Sequence, residues 1–74
     1  MIHGIYVKNR PKGKWHLFST TISAEAANYD SNIALKQAKL AGNDNAEVGI
    51  KVFDSNFYIP ELLTEIKEQK PMFN

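Results

Sequence analysis

The sequence predicts an α+β fold: a three-stranded sheet made of a β-hairpin and a later strand, with one main helix packed on one face and a short C-terminal helix. Three observations carry this. Two β-prone runs flank a turn containing Pro and Gly near the N-terminus, a helical period with small residues fills the middle, and an alternating run follows it.

The first strand is expected over residues 2 to 8, where Ile2, Ile5, Tyr6 and Val7 suit a pleated, half-buried surface. The second is expected over residues 14 to 22, rich in Trp, Phe, Thr and Ile. Between them Asn9-Arg10-Pro11-Lys12-Gly13 reads as the hairpin loop, because Pro11 presets φ and Gly13 permits a positive φ. The register stays open. Pairing Tyr6 with Trp15 puts His3, Ile5, His16 and Phe18 on one face, whereas a slip of one residue gathers Ile5, Val7, Trp15 and Leu17. The second arrangement is preferred, since it sets the bulkiest apolar side chains against a helix and leaves Tyr6, His16 and Phe18 outside.

Ser23 is the expected N-cap of the helix, which runs from Ala24 to Ala41 with Ala26, Tyr29, Ile33, Ala34, Leu40 and Ala41 recurring near the 3.6-residue period. The weak helix formers Asn28, Asp30, Ser31 and Asn32 leave a later start with Asp30 as cap open. Gly42 followed by Asn43 is a stop. Ala46, Val48, Ile50 and Val52 alternate with Glu47, Gly49, Lys51 and Phe53, which predicts a third strand over residues 46 to 53 with one covered face. Pro60 suits the first turn of a short helix to about Glu68, with Leu62, Leu63 and Ile66 as its buried stripe. Gln69 to Asn74 reads as a frayed tail.

A chain of 74 residues supports one core, so residues 1–74 are expected to form a single domain. With 43% hydrophobic and 23% charged residues it has the composition of a soluble globular protein, not of a disordered one. No apolar run approaches the roughly 20 residues that span a bilayer, and no signal-like segment follows Met1, so a cytoplasmic protein without a membrane partner is expected. The absence of cysteine excludes disulfides, thiolate metal sites and a cysteine nucleophile. The net charge of +1 hides an uneven layout. Residues 1 to 22 hold four cations and no acid, hence +4, and the remainder holds five basic and eight acidic residues, hence −3.

Those four cations, Lys8, Arg10, Lys12 and Lys14, are flanked by Tyr6, Trp15 and His16, a combination that can neutralise phosphates and stack on bases, or contact a protein partner. The blander reading is a solvated turn whose lysines keep an edge strand from aggregating, and a sequence pI of about 8.0 favours it. The hairpin around Gly13-Lys14-Trp15, followed by a helix with Ala34 and Ala38, resembles the N-terminal arm-binding domains of phage-type integrases. That resemblance implies a three-stranded sheet lying in a DNA groove. In those domains all three strands precede the helix, whereas here the third follows it.

His3 and His16 lie on adjoining strands, but two imidazoles do not close a structural zinc site, so no metal and no cofactor is expected. Ser19, Thr20 and Thr21 lie in no nucleophile elbow, and Asp30, Asp44, Asp54, Glu61 and Glu65 form no catalytic pair. No glycine-rich phosphate loop is present. An enzyme is therefore not expected. Phe53, Phe57 and Tyr58, with Ile59, make an apolar patch that suits a protein interface or locks the C-terminal helix. By elimination the leading expectation is a small non-enzymatic protein-interaction or regulatory module, with a nucleic-acid-binding domain using the basic hairpin as the alternative. Self-association comes third.

Overall fold

The computed structural model describes residues 1–54, which form three strands and one helix: β1 Ile2–Lys8, β2 His16–Thr21, α1 Ala24–Leu40 and β3 Glu47–Phe53. The expected C-terminal helix, its neighbours Phe57 and Tyr58, and the tail lie outside the described residues.

The sheet order is β2-β1-β3 and both pairings are antiparallel, so β2 and β3 run the same way on either side of β1. Helix α1 makes the crossover between them and packs against all three strands. The result is an antiparallel α+β fold of two layers. Alternation along β1 explains which side chains the helix covers. Ile5 is fully buried with Ala27 and Ala34, and Val7, Val48 and Ile50 pack against this cluster. Ile5 lies opposite Ile50 and Val7 opposite Val48, so the β-branched pairs of the central and third strands share the helix-facing side.

The outer face holds the other residues of β1. Ile2 and Phe53, cross-strand partners, form a second buried cluster to which Leu17 adds. Tyr6 is 2% exposed and its ring, with that of Phe53, lies over Gly4.

The hairpin register differs from both expected arrangements. Tyr6 pairs with Leu17 and Val7 with His16, but Ile5 pairs with Ser19, so Phe18 is an extra residue that bulges from β2. The bulge changes the face that β2 presents halfway along its length. Leu17 therefore joins Tyr6 on the outer face instead of Ile5 and Val7 under the helix, and His16 lies on the helix side instead of outside. Ser19 is brought to the helix side as well, where its hydroxyl donates to the Asp30 carboxylate at 3.0 Å. The extra residue thus places a polar group of β2 within reach of a carboxylate of α1.

Ser23 caps the helix as expected, its Oγ accepting from the Ala26 amide at 3.3 Å, and Asp30 sits inside the helix and not at its start. The phase of the buried stripe is shifted from the expected one. Ala27, Ala34 and Ala38 are buried, whereas Tyr29 and Leu40 are 67% and 78% exposed. Small side chains let the helix approach the bulky strand residues closely, so the large apolar residues were the wrong guide to the contact face. The helix ends in a Schellman turn: the Gly42 amide donates to Lys39 O and the Asn43 amide to Ala38 O, both at 3.0 Å, with Gly42 at φ 97°.

Candidate nucleic-acid interface

The loop between β1 and β2 is built on a tight turn in which the Gly13 amide donates to Arg10 O at 2.8 Å, with Pro11 in the second position. Gly42 is the only glycine of positive φ among the described residues, and no other residue type has one, so the turn does not use the left-handed backbone expected at Gly13. The glycine is needed for space. A Cβ there would lie 3.0 Å from Arg10 Cγ and 3.1 Å from Arg10 O. A side chain at position 13 would therefore crowd Arg10.

Because β1 and β2 are joined at the end of the sheet where the helix terminates, the hairpin loop comes to lie beside the Schellman turn. Between them is a half-open notch of about 510 Å³ lined by Asn9, Arg10, Lys12, Gly13, Lys14, His16 and Asn43. Arg10, Lys12, Lys14 and His16 are exposed, and no acid is among the lining residues. The helix C-terminus beside it is worth about half a negative charge, which three full cations outweigh. Three like charges in so short a loop repel one another, and an anion seated among them relieves that repulsion.

The seven residues singled out from the sequence are divided by the fold. Arg10, Lys12, Lys14 and His16 are brought together in the notch. Lys8 is not: it lies opposite Glu47, its Nζ is 2.8 Å from Glu47 Oε2, and its side chain is 15% exposed. The same ammonium lies 4.7 Å from the centroid of the Trp15 ring, giving a row of Glu47 on β3, Lys8 on β1 and Trp15 just before β2. Trp15 is half-buried there, outside the helix-facing cluster where the preferred register would have put it. Tyr6 is buried on the outer face, and Phe53 is 5% exposed, within the core and not on a surface patch. Asn9, Gly13 and Asn43 line the notch without having been read as site residues. In the sequence Asn9 and Gly13 read as loop residues and Asn43 as part of a helix stop.

His3 and His16 do not approach one another. His3 pairs with Thr21 and His16 with Val7, which is four residues from His3 along β1, a separation of about 13 Å at 3.3 Å per residue. Among the described residues no group of three or more His, Asp or Glu gathers in a way that would hold a metal ion. No helix among them is long and apolar enough to cross a membrane.

No protein-family model matches the chain, and no curated protein or solved structure matches it either. The strand order, with the third strand after the helix, also departs from the integrase arm-binding arrangement.

Proposed function

We propose that this chain is a small nucleic-acid-binding domain that works by binding and not by catalysis, engaging phosphates in the notch between the hairpin loop and the end of the helix. One observation carries the reading: Arg10, Lys12 and Lys14 line a single concavity with two asparagines and a histidine, and no carboxylate lines it. A solvated turn needs no such convergence. The reading as a protein-interaction module loses one of its anchors with the burial of Phe53, and the burial of Tyr6 removes one of the hairpin aromatics from either reading. For the non-catalytic part, the Ser19 hydroxyl is spent on Asp30 in a bond that ties strand to helix, with no histidine in the pair.

The test is the anisotropy of a labelled DNA oligomer titrated with the chain over a range of salt. Three phosphate contacts give a slope of log affinity against log salt of about −2.7 for duplex and about −2.1 for single strands. Replacing Arg10, Lys12 and Lys14 by Ala together should flatten that slope and abolish binding, whereas Lys8→Ala should leave both nearly as they were. Equal losses from Lys8→Ala and from the triple change would contradict the assignment to the notch.

A further inference from the structure

We infer that the outer face of the sheet is the docking surface for the chain's own C-terminal segment, residues 55–74, as a third layer opposite α1; this goes beyond the reading of the notch and does not depend on it. Burial without a described cover carries the inference. Side chains alternate along β1, so Ile5 and Val7 face α1 while Ile2 and Tyr6 face away from it. Yet Ile2 is 0% and Tyr6 2% exposed, and Phe53, the partner of Ile2 on β3, is 5% exposed. Under the helix, by contrast, Val7, Val48 and Ile50 are only partly buried. Neighbouring strands, about 4.8 Å away in the plane of the sheet, shield the flanks of a side chain and leave its tip open, which a layer packed about 10 Å above the sheet would close. Among the described residues no helix or strand lies on that face: α1, the one helix among them, is on the other.

The identity of the occupant follows from the chain itself. These exposures are those of a single chain, so the cover comes from within it. The described residues end at Asp54, directly after Phe53, whose ring is already part of the outer face beside that of Tyr6. Phe57 is four residues beyond Phe53, a reach of up to about 13 Å, against roughly 10 Å between the outer strands of a three-stranded sheet. From there Phe57, Tyr58, Ile59, Leu62, Leu63 and Ile66 supply apolar side chains in the amount a second covered face needs. The face they would meet is apolar in turn. Ile2, Tyr6, Leu17 and Phe53 stand on it, where an antiparallel sheet with a solvated face would carry polar residues.

The experiment uses the full chain, unaltered and isotopically labelled, with a neutral gadolinium chelate as the probe of exposure. Nuclear Overhauser contacts should join the Ile2 methyls and the Tyr6 ring to side chains of residues 55–74. The chelate should weaken the signals of the exposed Tyr29 and Leu40 and spare Ile2 and Tyr6 as it spares the buried Ile5. Loss of the Ile2 and Tyr6 signals to the extent seen at Leu40 would show an open face and overturn the inference. Contacts that arise only between labelled and unlabelled chains in a mixed sample would make a second copy the occupant and overturn it too. Protection of Ile2 and Tyr6 without any contact from residues 55–74 would do the same.

Discussion

At Gly4 the sheet has room for a hydrogen atom and nothing larger. A Cβ would lie 2.9 Å from Tyr6 Cε2 and 3.2 Å from Phe53 Cε2, so the two rings that close the outer face depend on its absence. Gly4→Ala should therefore destabilise the fold by about 1–3 kcal/mol through overpacking, more than the roughly 0.4–1 kcal/mol gained from a stiffer unfolded chain. Urea unfolding reads the difference, and an unchanged midpoint would show that the rings yield without strain. The same outer face explains why aromatic residues near the cations are misleading in the sequence. Tyr6 and Trp15 are adjacent to the basic residues along the chain, yet alternation sends Tyr6 to the far side of the sheet from the notch, and Lys8 occupies a face of Trp15. The distinction between cations that are available and one that is committed lies in Glu47, which the sequence places far from Lys8 and the sheet places opposite it.

At the level of elements, the existence of the hairpin, helix and third strand was legible, because each has a local cause: β-prone runs around Pro11 and Gly13, a serine cap at Ser23, the Gly42-Asn43 stop, and alternation from Val48 to Val52. The bulge at Phe18 was not. It comes with the meeting of Ser19 and Asp30, a contact between β2 and α1 that no pattern within β2 announces. The helix phase is hidden for a related reason: Tyr29, Ile33 and Leu40 dominate a hydrophobic count, while the sheet selects the narrow alanine side. This yields a contrast that can be measured. Tyr29→Ser and Leu40→Ser should each change stability by no more than about 0.5 kcal/mol, as exposed substitutions do. Ala34→Leu, at 2% exposure against Ile5, should cost about 1–3 kcal/mol. Thermal or urea unfolding in which the serine variants prove the more damaging would return the helix to the phase expected from its large residues.

Across the whole molecule, the uneven charge of the sequence becomes a position in space. The acid-free N-terminal segment puts its loop at the end of the sheet where α1 terminates, and that neighbourhood turns a row of cations into a concavity. Asn43 is the residue that reveals this, because it enters the notch from the far end of the helix and only the antiparallel packing brings it there. It also supplies the most direct measurement: backbone amide chemical shifts of the full chain during titration with an oligonucleotide. The notch predicts shifts at Asn9, Arg10, Lys12, Gly13, Lys14 and His16 together with Asn43, and little change at Gly4, Tyr6, Tyr29 or Leu40. Shifts confined to the hairpin loop with Asn43 silent, or centred on the outer face around Gly4 and Tyr6, would contradict it.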